Sequence, residues 1–183
     1  MHGQFIVVDG YYPNPDFVRA HALSQEFDVS GNYPGIRTSH QSDAYFQNQK
    51  AVMEKIIGKK ITYWPEEYNT AFQVTYEDAK TWVHYDATEW AAVIYLTPNA
   101  PIEAGTAIFR HKESGIYQHT EDSTRDFNDE FAPVDAWEVI TETKNIYNRA
   151  VIYNGNYYHS SVKPGFGTCK DTGRLFQTFF FNT

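Results

Sequence analysis

The 183-residue chain is acidic, with 23 Asp and Glu against 15 Lys and Arg and a formal net charge of −8. It therefore lacks the overall basic surface that phosphate neutralisation along a nucleic acid requires. A mean hydropathy of −0.56 and the lack of a long apolar run exclude a membrane-spanning helix.

The length suits a single domain, residues 1–183, with a real core. Tyr, Phe and Trp make up 17% of the residues, which favours pleated surfaces and a mainly β fold. The first ten residues carry neither the basic start nor the apolar stretch of a secretory leader, and the single Cys169 fits a reducing cytoplasm.

In chain order, Gln4–Val8 is an apolar run stopped by Asp9-Gly10 and predicts a first strand. Asn14-Pro15 supplies a cap and a first helical residue, and Phe17, Ala20, Leu23 and Phe27 follow at helical spacing. That pattern predicts an amphipathic helix over 15–27. Residues 28–42, rich in Gly, Ser, Asn and Pro, read as loop. A second helix is expected over 44–57, with Ala51, Val52, Met53, Ile56 and Ile57 on its apolar side and Gly58 past its end.

From Thr70 the period changes to two: Phe72, Val74 and Tyr76 alternate with polar residues. Short strands are expected at Trp82-Val83 and Thr106–Phe109, and between them Trp90–Thr97 reads as a strand covered on both faces. Residues 112–135 are polar and irregular, and 136–147 suit a short helix or an extended piece. Arg149–Tyr153 and Tyr157–Val162 flank Asn154-Gly155, which predicts a hairpin. A loop over 163–173 then leads to a last strand, Leu175–Phe181. Residues 1–69 thus form a helical support region and 70–183 a β core, an antiparallel barrel or sandwich with helices on one side.

Three His-x-acid pairs occur: His84/Asp86, His111/Glu113 and His119/Glu121. The last two sit in charged sequence and read as solvated loop. His84 and Asp86 lie between apolar strands, where residues two apart share a face and can converge on one ion. Taken alone, the pair reads equally as a hydrogen-bonded His and a turn-forming Asp. His159, in the return strand of the expected hairpin, adds a third ligand type. Two His and one carboxylate with open positions is the donor set of non-haem Fe(II) oxygenases. Arg174 opens the last strand 15 residues later, expected antiparallel to that of His159, and a buried Arg there needs an anionic partner.

The ordered set of His84-x-Asp86, a strand ending Tyr95-Leu96, Gly105-Thr106, His159 and Arg174 resembles the 2-oxoglutarate- and Fe(II)-dependent dioxygenases. The similarity is greatest to the prolyl-4-hydroxylase-like branch, including small phage-encoded members, and covers about residues 70–181. It implies a double-stranded β-helix (a jelly-roll or cupin-like barrel) with N-terminal helices. His84, Asp86 and His159 would be iron ligands. Arg174, helped by Tyr95, would hold the distal carboxylate of 2-oxoglutarate, with Thr106 and Tyr76 as weaker members of that pocket; both tyrosines also read as core packing with a satisfied hydroxyl, the better reading for Tyr76.

The implied chemistry uses Fe(II), 2-oxoglutarate and O2, releases succinate and CO2, and hydroxylates a peptide side chain or small molecule, or demethylates it oxidatively. Because a carboxylate stands at Asp86, the resemblance implies no halogenation. It also implies a cytoplasmic protein, in the host cytoplasm for a phage-encoded member. A nucleotide is a compatible substrate even though broad nucleic-acid binding is not expected. Two other classes fit the residues: a cupin-like metal enzyme without 2-oxoglutarate, and a non-catalytic barrel serving as a binding or virion module. Substrate contacts are expected on 28–45, 76–82 and 110–135, where Arg37, His40, Tyr45, Trp82, Arg110 and His111 read either as ordinary surface or as residues of the mouth.

The acidity is local. Residues 113–142 hold nine acids against one base, Arg125, and the rest of the chain balances. The segment reads as a solvated loop, or as a flank of the barrel mouth that disfavours polyanions.

Overall fold

The structure, a computed structural model, describes residues 5–121, 126–130 and 133–183. Gln4 of the expected first strand, and Asp122 and Arg125 of the acidic segment, lie outside the described residues. Two antiparallel sheets organise the chain. The larger has the order β1-β7-β4-β9-β3-β2, from β1 (Phe5–Val8), β7 (Ala150–Asn154), β4 (Trp90–Tyr95), β9 (Arg174–Phe181), β3 (Phe72–Thr75) and β2 (Ile36–Arg37). The smaller has the order β6-β5-β8, from β6 (Trp137–Glu142), β5 (Thr106–His111) and β8 (His159–Ser161).

Alternation along the strands separates the faces of the larger sheet. Trp90, Ala92 and Ile94 of β4 join Leu175, Phe179 and Phe181 of β9 on the helix side. There they meet Val18 and Ala22 of α1 (Pro15–Ser24), Phe46 of α2 (Ala44–Gln47) and Met53 of α3 (Gln49–Ile57). The intervening Ala91, Val93 and Tyr95 pack with Phe176, Val151 and Tyr153, and with Ile108 of β5, so this second cluster lies between the sheets. A third cluster, with Ala107, Phe109, Trp137 and Tyr158, covers the outer face of the smaller sheet.

The first helix is capped as the sequence implies: the Phe17 N–H donates to Asn14 Oδ1 (3.2 Å) and Pro15 starts the helix. It stops at Ser24, because Gln25 turns to extended backbone, and Phe27 reaches the core from beyond the helix. The second expected helix is two, broken at Asn48, which closes α2 and opens α3.

Two other expectations change, and of the two forms open for 136–147 the extended one forms. Trp82-Val83 forms no strand; His84 alone makes a bridge, to His159. Residues 137–142 are strand, held against β5 with a bulge between Ile108 and Phe109. The Asn154-Gly155 turn makes no hairpin, since β7 pairs with β1 and β4 whereas β8 pairs with β5. The turn carries the chain from one sheet to the other, so the strands of His159 and Arg174 lie in different sheets rather than side by side. Gly155 is needed for closeness: a Cβ there would sit 2.2 Å from the Thr88 carbonyl oxygen and 3.3 Å from Asp86 Cβ.

A candidate metal centre

Register places the candidate ligands. Ile108, which faces the space between the sheets, pairs with His159, and His159 bridges His84 through reciprocal backbone hydrogen bonds of 2.7 and 3.0 Å. Antiparallel partners share a face, so both imidazoles enter that space, and Asp86, two residues on, follows. The Asp86 N–H donates to the Gly155 carbonyl at 2.7 Å, which ties this residue to the turn between the sheets.

One donor atom from each of His84, Asp86 and His159 lies within 4.8 Å of the others. Asp86 Oδ2 is 3.3 Å from His159 Nε2, and Asp86 Oδ1 is 4.0 Å from His84 Nε2. Donors each about 2.1 Å from a common ion lie roughly 3–4 Å apart, so a small contraction suits one metal.

The ring nitrogens are oriented for this. His84 Nδ1 faces the Trp82 carbonyl (3.0 Å) and His159 Nδ1 the Tyr157 carbonyl (2.7 Å). A carbonyl only accepts, so each Nδ1 carries a proton and each Nε2 is the ring nitrogen turned to the centre. Asp86 Oδ2 is buried without a well-formed hydrogen bond, an orphaned acceptor that a cation would satisfy. Burial raises the Asp86 pKa, but His159, His84 and Arg37 outweigh it and hold the carboxyl below its usual range. Burial and the neighbouring His159 lower that of His84, which keeps it neutral and ligand-competent.

Arg174 reaches the same cavity, of about 600 Å³, and is 2% exposed. Its Nε donates to the Ala104 carbonyl (3.2 Å), and its guanidinium carbon lies 4.4 Å from the Phe176 ring centroid and 5.5 Å from that of Tyr95. No carboxylate among the described residues pairs with it, so burial lowers its pKa and Tyr95 and Tyr153 only partly compensate. A buried cation of this kind calls for an anion. Tyr95 and Thr106 stand beside it, their hydroxyls 2.8 Å apart. Thr106 is placed by Gly105, where a Cβ would meet the Thr143 carbonyl oxygen at 1.8 Å.

Tyr76 is not brought there. It packs against the helix-side core, and it is absent from the cavity wall. The side chain that does stand by the ligands is Tyr153, its ring centroid 4.7 Å from that of His159.

Of the expected contact residues, Arg37 and Trp82 line the cavity. Arg110 is at the surface, paired with Glu138 (2.8 Å), and His40 is exposed. The solvated reading of the other His-x-acid pairs fails at the histidines: His111 is buried against Phe127 and Trp137, and His119 stacks on Tyr85 at 3.9 Å. The cavity also takes Tyr63, Pro65 and Tyr68, which their surroundings in the sequence do not distinguish from surface.

The acidic segment is not simply solvated either. Phe127 is fully buried, and Asn128 brackets the backbone of Tyr85, accepting from its N–H (3.0 Å) and donating to its carbonyl (2.9 Å). The Tyr85 hydroxyl donates to Asp126 (2.9 Å). Tyr85 is the residue between the two candidate ligands His84 and Asp86, so this segment bears on their spacing.

A profile of the family of unknown function DUF6445 matches residues 2–181. No curated protein sequence matches the chain. Among solved structures, it is similar to a prolyl hydroxylase from Trichoplax adhaerens, in complex with a hypoxia inducible factor oxygen degradation domain peptide fragment. The identity is 11% and the TM-score 0.61, covering 98% of this chain and 84% of that one. HygX from Streptomyces hygroscopicus, with nickel, 2-oxoglutarate and hygromycin B bound, gives 11% and 0.60 over 97% and 82%. A Pseudomonas putida prolyl-4-hydroxylase gives 13% and 0.56 over 98% and 92%. At such identities the likeness is one of fold, and it agrees with the mainly β, antiparallel architecture expected from the sequence.

Proposed function

The chain belongs to the family of unknown function DUF6445, and we propose that it is an Fe(II)- and 2-oxoglutarate-dependent dioxygenase that hydroxylates an unactivated C–H bond of a small molecule or peptide side chain. One observation carries this reading: His84, Asp86 and His159 converge in a cavity that also holds Arg174, a buried cation without a carboxylate partner among the described residues. The two facing sheets support a double-stranded β-helix, and the likeness to a prolyl hydroxylase and to HygX with nickel and 2-oxoglutarate bound supports the chemistry.

In this reading His84 and His159 would hold Fe(II) through their Nε2 atoms and Asp86 through its carboxylate. Arg174 would bind the distal carboxylate of 2-oxoglutarate, and the Tyr95 and Thr106 hydroxyls would complete that pocket. When bound, Fe(II), 2-oxoglutarate and O2 supply the oxidation, with release of succinate and CO2. The apolar wall of Val93, Tyr153 and Phe176 limits water around the centre. Asp86 fills the third ligand position, which supports hydroxylation or demethylation over halogenation.

The test is direct. Protein loaded with Fe(II) is expected to convert 2-oxoglutarate to succinate slowly without a further substrate. His84→Ala and His159→Ala are each expected to abolish metal binding. Metal binding that survives both changes overturns the ligand assignment, and tight metal binding with no affinity for 2-oxoglutarate favours a cupin-like enzyme.

A further inference from the structure

A second cation lines the cavity wall, and the proposed reaction leaves it unused. Arg37 of β2 pairs in register with Gln73 of β3, and Gln73 with Phe176 of β9. Its side chain is held rather than loose. Nε donates to Gln73 Oε1 (2.7 Å), Gln73 in turn donates to the Pro34 carbonyl (2.6 Å), and the guanidinium carbon lies 3.7 Å from the centre of the Tyr33 ring. These contacts occupy one edge and one face of the guanidinium. Nη1 and Nη2 have no partner among the described residues, and no carboxylate pairs with them.

The positions of the two guanidiniums differ. That of Arg174 sits on the Phe176 ring at 4.4 Å, and that of Arg37 lies 5.9 Å from the Phe180 ring. Phe176 and Phe180 are four residues apart on one strand, about 13 Å at the usual rise. The end near Arg174 is closed, while Tyr63 (48% exposed) and Tyr68 (53% exposed) line the same cavity near the surface. The two guanidiniums thus lie against different rings of one strand, which leaves Arg37 available to a second anion.

We propose that Arg37 is the recognition residue for the primary substrate, which is an oxyanion: its carboxylate or phosphate group is held by Nη1 and Nη2 at the open end of the cavity, with the reacting carbon towards His84, Asp86 and His159. The assignment rests on the function proposed above. The Tyr33 ring and Gln73 fix the fork, so little side-chain entropy is lost on binding. Tyr63 and Tyr68 offer flat apolar faces to the body of such a substrate.

The experiment uses the full chain loaded with Zn(II) and 2-oxoglutarate, titrated calorimetrically with benzoate, with neutral benzamide and with inorganic phosphate. Benzoate or phosphate is expected to bind without displacing 2-oxoglutarate, and benzamide at least tenfold more weakly; which anion binds tells a carboxylate from a phosphate substrate. Arg37→Gln is expected to weaken the anion tenfold or more, and Arg37→Lys by less, since the charge remains and the fork is lost. Thermal melts of both variants confirm folding. Equal binding of benzamide, no binding of either anion, an unchanged affinity in Arg37→Gln, or displacement of 2-oxoglutarate by the anion overturns the proposal. If 2-oxoglutarate itself fails to bind, the dioxygenase reading falls, and the same titrations of the Zn(II) protein alone still decide Arg37.

Discussion

Replacing Arg174 by Met separates cosubstrate binding from folding. Met keeps a long apolar stem against Phe176 and removes the charge. The Ala104 carbonyl keeps a donor, because Asn145 Nδ2 also reaches it at 3.1 Å, so the substitution orphans no buried acceptor there. Burial already disfavours the charge of Arg174, so the unloaded variant is expected to be no less stable than the parent. Losing a buried, charge-assisted pair with the 2-oxoglutarate carboxylate costs about 2–5 kcal/mol, and a ~100-fold weaker Kd, about 2.7 kcal/mol, is the lower part of that range.

The assay is thermal unfolding of the Zn(II)-loaded protein with and without 2-oxoglutarate. At 100 times the parent Kd the ligand adds about 2.7 kcal/mol, a rise in Tm of roughly 5–10 °C for a domain of this size. For a variant weakened ~100-fold the same concentration adds only about 0.4 kcal/mol, or roughly 1 °C. A variant that keeps the full ligand-induced shift refutes the anchor assignment. Equal Zn(II) affinity in both proteins shows that the loss is confined to the cosubstrate.

Asn128→Ala removes both bonds that bracket Tyr85; isothermal titration should show Zn(II) affinity falling about tenfold through the spacing of His84 and Asp86, with rescue by Asn128→Asp absent because the donor to the Tyr85 carbonyl is lost. Gly155→Ala forces a Cβ against the Thr88 carbonyl, so urea melts should report a loss of about 1–3 kcal/mol and metal titration a weaker site. Glu89 accepts from the Thr183 N–H (2.9 Å) and hydroxyl (2.7 Å); burial raises its pKa, but these bonds and Lys59 bring it below the usual value. Its contribution, under about 1 kcal/mol, is therefore present above pH ~4.3 and lost as pH falls through the lowered value, and Glu89→Gln should flatten the acid limb of the urea-midpoint profile there. Removing the metal with a chelator should lower the Tm of the Zn(II)-loaded parent and leave Asp86→Ala unchanged, since that variant lacks the central carboxylate.

Local signals served the fold well where one element carried its own pattern. Asn14-Pro15 capped α1, the unbroken apolar run at Trp90 became the doubly covered β4, and period two marked β3. They failed where the partner was distant. Asn154-Gly155 carries a strong hairpin signature, yet Gly155 serves a close approach to Thr88, and the strands it joins belong to opposite sheets. His111 looked solvated because its neighbours in sequence are polar, while its neighbours in space are Phe127 and Trp137.

The sequence by itself determined the donor chemistry: which residues can ligate, that His84 and Asp86 share a face, and that a lone Arg174 follows His159. Those are matters of residue type and of the two-residue period of extended chain. Only the tertiary structure decided which of these groups meet. It placed His159 against His84 through a single bridge, turned each Nε2 inward by occupying Nδ1, and left Tyr76 on the helix side of the sheet. It also brought in Arg37 and Asn128, whose roles depend on Gln73, Tyr33 and Tyr85 lying beside them in space. The physical reason is that side-chain identity sets what a group can bind, whereas strand register and crossing between sheets set what it is near.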